Sequence, residues 1–247
     1  MIVTIIASGS KSNCLILEIG GARVMVDAGL GHRQTFERML AAGLEPESLD
    51  FIAVTHCHLD HVYGLPAIAR KLDIPVFMSG GCYESLKPDQ RPRKVMRFQP
   101  GQSFKVGKLT VGTVLVPHDA AEPTAFTLTS SDEKFAMATD LGSVPDAMVK
   151  AFSGADIAFC ESNHDPALAR LGDKHPAVLK RVLGPLGHLS NDALAELLKR
   201  GLPGTSQFII GHLSREDNTE ELARLTAMNA IKGNCDLKVA GAEGGVS

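Results

Sequence analysis

The chain has no tryptophan and only two tyrosines in 247 residues. A row of aromatic platforms for a single nucleic-acid strand has little to be built from. A charge excess is missing too, since 25 Lys and Arg against 28 Asp and Glu leave a formal charge of −3. No global basic field exists to hold a polyanion, so any such partner must be gripped by a local patch. The five cysteines (Cys14, Cys57, Cys82, Cys160 and Cys235) are scattered, odd in number and without a C-x-x-C pair, which argues against a disulfide framework or a cysteine-based zinc site. Long apolar runs are also lacking. Met1–Ala7 is apolar but too short to span a bilayer and carries no basic flank, so it reads as a first strand, with no membrane association and a cytoplasmic location expected.

What is present is ordinary for a soluble globular protein, with 44% apolar and 21% charged residues. The length suits one domain over 1–247, large enough to bury roughly 75% of its unfolded surface without staples. Strands are expected at 1–7, 14–19, 23–26, 51–55 and 75–78, and a hairpin at 102–105 and 109–116 across Gly107. Further strands are expected at 125–129, 135–138, 156–160 and 207–210. Helices are expected at 32–42, 61–72, 147–152, 177–183, 191–199 with Ser190 as cap, and 219–228. Strand clusters followed by helices, twice over, suggest two similar halves with sheets packed inside helices.

Four metal-grade side chains fall within six residues: His56, His58, Asp60 and His61, in Thr55-His-Cys-His-Leu-Asp-His61. Imidazoles and carboxylates this dense are desolvated favourably only around a shared cation, and a divalent metal pair is the natural answer. His56 and His58, two apart, project to the same side of an extended segment. Later apolar strand runs end in His118, Asp140 and His212, the same placement as the first cluster.

The His-x-His-x-Asp-His run with a later His, Asp and His resembles the metallo-β-lactamase superfamily. That resemblance implies an α/β fold, an αβ/βα four-layer sandwich of two mixed sheets flanked by helices, with a dinuclear site at their edge. Ser8-Gly-Ser-Lys-Ser-Asn13, Pro117-His-Asp-Ala-Ala-Glu-Pro123, Ala138-Thr-Asp-Leu-Gly142, Glu161-Ser-Asn-His-Asp165 and Gly187-His-Leu-Ser-Asn191 resemble the YycJ/WalJ-type branch, described as exonucleases on double-stranded DNA. The C-terminal motifs are also similar to ribonuclease Z. The resemblance implies that His56, His58 and His118 hold one metal, that Asp60, His61 and His212 hold the other, and that Asp140 bridges. Two divalent ions, Zn²⁺ or Mn²⁺, suit this mixture of donors. Asp27 in Val26-Asp-Ala-Gly29 corresponds to an acid that supports a ligand rather than binding metal, or is a turn-forming residue. Cys57 departs from the family, which often has Glu or another polar residue there.

His188 or His164 is the candidate proton donor to a leaving oxygen, and Asp60 joins the catalytic set besides its ligand role. Ser10 and Asn13 lie in a segment whose backbone donors and hydroxyls could cradle a phosphate. The one dense basic stretch, Lys87–Arg97, offers Arg91, Arg93 and Lys94 as a grip on a DNA backbone. The reading is a metal-dependent hydrolase, a phosphodiesterase or nuclease acting on DNA. Its rivals are a hydrolase of a cyclic phosphodiester, thioester or lactone on the same platform, and a non-catalytic metal-binding protein.

Overall fold

A computed structural model describes residues 1–245. Its first half runs β1 (Ile2–Ala7), β2 (Cys14–Ile19), β3 (Ala22–Val26), α1 (His32–Ala41), β4 (Phe51–Ala53), α2 (Leu59–Val62), α3 (Leu65–Leu72), β5 (Val76–Ser79), α4 (Gly80–Ser85) and β6 (Val95–Phe98). The second half runs β7 (Ser103–Val106), β8 (Leu109–Leu115), β9 (Thr124–Thr129), β10 (Lys134–Ala138), α5 (Asp146–Phe152), β11 (Ile157–Glu161), α6 (Pro166–Leu171), α7 (Pro176–Val182), α8 (Asn191–Arg200), β12 (Gln207–Gly211), α9 (Glu220–Met228) and β13 (Asp236–Val239).

One sheet has the order β1-β2-β3-β4-β5-β6 and the other β13-β12-β11-β10-β9-β8-β7. Each begins with antiparallel strands and continues with parallel ones, the change falling after β3 in the first sheet and after β10 in the second. The two halves are therefore built alike, as the repeated strand-then-helix pattern suggests.

The period-2 alternation of strands explains the layering. On β10, Phe135 and Met137 face the other sheet, where they meet Leu15, Leu17 and Phe51 in one apolar cluster that also holds Phe126 of the neighbouring β9. Ala136 and Ala138 face the opposite way, against Met148 and Phe152 of α5 and Leu194 and Leu198 of α8. On β2, Ile16 packs outward with Phe36 and Met39 of α1 and Leu65 and Ile68 of α3. Strands buried on both faces read as nearly continuous apolar runs. The result is helix, sheet, sheet, helix: the four-layer sandwich.

Four differences from the sequence expectations have physical reasons. The helix expected over 61–72 is two, α2 and α3, because the chain must pass the backbone of Leu30 closely at Gly64. A Cβ built there would stand 1.9 Å from the Leu30 carbonyl oxygen. The helix α4 is hidden in the sequence by its two leading glycines, poor helix formers; Ser79 caps it by accepting from the Cys82 N–H. The end of the expected basic loop is the edge strand β6, paired in parallel with β5. The pieces α6 and β13 are short, and neither carries a clear periodic signal.

Candidate metal centre

The candidate side chains are delivered from strand ends, where the backbone leaves the sheet and can be bent sharply. Asp27 follows β3, His56 follows β4, Asp140 follows β10 and His212 follows β12. Glu161 is the last residue of β11, and His118 lies in the β8–β9 connection. Asp27, Asp140 and His212 adopt left-handed backbone with φ of 58°, 55° and 54°. This conformation costs a non-glycine residue of order 1–3 kcal/mol. Its occurrence at three strand ends that meet at one point marks a place where side-chain direction is held against backbone preference.

Seven side chains converge there. His56, His58 and His118 bring donor atoms together, as do Asp60, His61 and His212. Asp140 stands between the two sets. Its Oδ2 lies 3.1 Å from His61 Nε2 and 3.7 Å from His212 Nε2, and its Oδ1 lies 3.6 Å from His118 Nε2.

The outer ring nitrogens fix which inner atoms are free. His61 Nδ1–H donates to Asp27 Oδ2 at 2.7 Å, and His118 Nδ1–H donates to the Gly187 carbonyl at 3.0 Å. His212 Nδ1–H donates to Glu161 Oε2 at 2.8 Å. Thr55 Oγ1 gives its own proton to Asp27 Oδ2, so it accepts from His56 Nδ1–H at 3.1 Å. With each outer nitrogen protonated, each inner nitrogen presents a lone pair. His58 is reversed: its Nδ1 points inward, 3.2 Å from His118 Nε2. The buried atoms His56 Nε2, His212 Nε2 and Asp140 Oδ2 have no hydrogen-bond partner. Buried lone pairs left unsatisfied are costly. Five imidazoles and two carboxylates aimed at one another, with orphaned inner atoms, fit divalent metal ions.

Electrostatics give the same answer. Burial penalises the charged form of the Asp140 carboxyl, yet His212, His61 and His56 hold it well below the usual range. Burial alone would lower the His212 pKa, but Asp140, Asp60 and Glu161 lift it to about 10. His61 is raised in the same way by Asp140 and Asp27. The acids keep protons on imidazoles where a cation belongs, and metal and proton compete for one set of lone pairs.

Glu161 is the candidate site residue that the sequence reading leaves without a role. It is fully buried. Its Oε2 accepts from His188 Nδ1 at 2.9 Å and from His212 Nδ1, while Oε1 accepts from the N–H groups of Leu141 at 2.9 Å and Leu189 at 2.8 Å. Burial raises its pKa, but His188 and His212 outweigh that and bring it down to about 2. The signal that could have found it is placement: an acid closing the apolar run Ile157-Ala-Phe-Cys-Glu161, just where neighbouring strands deliver Asp140 and His212. Thr55, which ties His56 and Asp27 together, was also unassigned.

A cavity of about 750 Å³ opens over this cluster, with His58, Asp60, Asp140, His188 and His212 in its lining. Ser10 lines it. Asn13 does not: its buried amide donates to Asp60 Oδ2 and to the Gly9 carbonyl, each at 3.1 Å, so it braces the Asp60 carboxylate from behind. His164 is buried outside the lining, and its backbone carbonyl accepts from the Asn191 N–H, which holds the segment carrying His188. Arg91, Arg93 and Lys94 also lie outside it. Arg91 is tied to Glu84 and covers Tyr83, and Lys94 pairs with Asp73 across neighbouring surface segments. The cations that do line the cavity are Lys11, Arg38, Lys174, Arg181 and Arg215.

The matched family model, described as a beta-lactamase superfamily domain, covers residues 22–209. The chain belongs to the metallo-β-lactamase superfamily. It is 33% identical to the exodeoxyribonuclease WalJ of Streptococcus pneumoniae, over 96% of this chain and 90% of that protein. It is 31% identical to the exodeoxyribonuclease YycJ of Bacillus anthracis, over 93% and 88% respectively. The metallo-β-lactamase fold protein YhfI from Bacillus subtilis superposes with a TM-score of 0.75, at 18% identity and over 99% of this chain and 97% of that one; this likeness speaks to the fold alone. The superfamily fold implies divalent metal ions, and the donors described above suit them. No helix among the described residues is long and apolar enough to cross a membrane.

Proposed function

We propose that this chain hydrolyses phosphodiester bonds of DNA with two divalent ions, zinc or manganese. The observation that carries the proposal is the convergence of His56, His58 and His118 with Asp60, His61 and His212 around Asp140, their inner donor atoms directed at one another. The exodeoxyribonuclease names of relatives matched over most of the chain support the substrate class.

When bound, divalent ions supply Lewis acidity toward a phosphoryl oxygen and lower the pKa of water. The protein does the rest. Asp27, Thr55, the Gly187 carbonyl and Glu161 orient the imidazoles. Asp60 and Asp140 contribute the negative charge that makes the centre selective for cations. His188 lines the cavity with Nδ1–H committed to Glu161, so Nε2 is the nitrogen free to hand a proton to the leaving oxygen. Burial tends to lower its pKa, but Glu161 raises it, which keeps that proton available near neutral pH. His164, outside the cavity lining, supports the segment carrying His188. Arg181 and Lys11 on the cavity wall are the closer candidates for flanking phosphates, ahead of Arg91, Arg93 and Lys94. The residence of the enzyme is proposed to be the cytoplasm.

Substituting His58→Ala and measuring metal content with turnover of bis-p-nitrophenyl phosphate tests the scheme. Both are expected to fall; undiminished turnover refutes it. Thioester or lactone turnover without phosphodiester cleavage would hand the site to the rival substrate class. A metal-loaded chain inert to all three would make it a binding protein.

A further inference from the structure

Most aromatic rings in this chain are used up inside it. Nine of the phenylalanines are buried, and the half-buried Phe104 stacks against Phe77 and Phe98. Tyr83 has its ring covered by the guanidinium groups of Arg91 and Arg97, at 4.6 and 5.1 Å. Tyr63 differs. It is 63% exposed, and among the described residues its hydroxyl has no hydrogen-bond partner and its ring pairs with no other ring or cation. It also lines the cavity over the metal centre.

The placement is specific. Tyr63 closes α2, its N–H donating to the Leu59 carbonyl at 2.9 Å, so Leu59 and Tyr63 lie one helical turn apart on the same side. Leu59 is 61% exposed. The ligand Asp60 stands three residues before Tyr63, a helical spacing that separates Cβ atoms by roughly 5–6 Å. Both residues line the same cavity, so a substrate phosphate near Asp60 and a base against Tyr63 share one space. The ring lies beside Gly31, where an added Cβ would stand 3.5 Å from Tyr63 Cε1, an ordinary contact. One open aromatic face in the cavity that Asp60 also lines suits one base; it does not suit a tract.

We infer that Tyr63, flanked by Leu59, stacks on the nucleobase next to the scissile phosphate and so determines that the site takes nucleotide-bearing phosphodiesters. This rests on the nuclease reading above. Stacking is indifferent to base identity, because every base has a π-face. The inference therefore predicts a requirement for a base without a preference among bases.

The test uses the full metal-loaded chain and two sets of duplex oligonucleotides, whose terminal nucleotides carry or lack their bases. For the wild-type chain, kcat/KM on base-bearing ends is expected to exceed that on abasic ends by about 5- to 150-fold, the span of base–aromatic stacking. The ratio is expected to fall toward one in Tyr63→Ala and to persist in Tyr63→Phe and Tyr63→Trp. A wild-type ratio retained by Tyr63→Ala overturns the stacking role while leaving the nuclease reading intact. No cleavage of any duplex by the wild-type chain overturns both.

Discussion

His61 Nε2 lies 3.1 Å from Asp140 Oδ2, and the two residues come from opposite halves of the chain. His61 sits on α2 below the first sheet, whereas Asp140 follows β10 of the second. A cation bound by both would clamp the two halves together. Binding to the folded chain alone stabilises it by about 2.7 kcal/mol at a ligand concentration 100 times Kd. The metal-loaded chain is therefore expected to melt well above the chelated chain, as read by calorimetry; equal melting temperatures would contradict a shared site.

The proton–metal competition has a direction in pH. In the metal-free chain, burial opposes the charge on His212, but Asp140, Asp60 and Glu161 lift its pKa to about 10; the unfolded value is about 6.5. A raised folded pKa gives stability that is complete below about pH 6.5 and lost as pH rises toward about 10. Metal bound at His212 would replace that proton, so the melting-temperature gap between loaded and chelated protein is expected to widen over this window. Melts at a series of pH values with and without chelator measure it; a gap that narrows with rising pH would refute the competition.

Glu161 is fully engaged by four donors, two of them from imidazoles that line the centre. Glu161→Gln replaces one acceptor oxygen by a donor and sets it against an N–H. Metal affinity or turnover is expected to drop about 10- to 100-fold, as for other residues that orient a ligand. Chelator competition reads the affinity directly; an unchanged constant would show that His212 orients itself.

That residue also marks where sequence reasoning stopped. The convergence of the candidate ligands was legible because each apolar strand run ends in a His or Asp, and the four-layer arrangement because strands buried on both faces read as unbroken apolar runs. Glu161 follows the same rule, but an acid beside a loop has many bland explanations. The cavity cations were less accessible still. Lys11, Arg38, Lys174, Arg181 and Arg215 are spread over the whole chain and meet only in three dimensions, whereas Arg91, Arg93 and Lys94 are close in sequence and lie outside the cavity.

Those five cations share the lining with Asp60, Asp140, Glu216, Asp217 and Glu243, so the protein alone offers DNA a nearly neutral surface. Attraction for a polyanion must then come largely from bound divalent ions. Duplex affinity is expected to fall sharply on chelation. Neutralising Arg181 and Lys11 is expected to reduce the salt slope of binding by about 1 each. Neutralising Arg91, Arg93 and Lys94 instead is the comparison; a larger loss of slope there would return the phosphate grip to the β6 edge.

Glycine matters most where the ligand-bearing turn meets the first sheet. A Cβ at Gly29 would stand 1.8 Å from the Asp60 carbonyl oxygen, an impossible contact with backbone. Gly29→Ala is expected to cost at least about 3 kcal/mol, the upper end of ordinary single substitutions, and to lower metal affinity by displacing Asp60. Urea denaturation of the chelated chain separates the two effects; a loss of under about 1 kcal/mol would contradict the close packing.

Metal stoichiometry tests the central claim most directly. Elemental analysis after dialysis against zinc or manganese is expected to find two ions per wild-type chain and a clear loss of bound metal in both His58→Ala and Asp140→Ala. A wild-type chain that retains no divalent metal, or variants that retain the full complement, would contradict a centre built from these seven side chains.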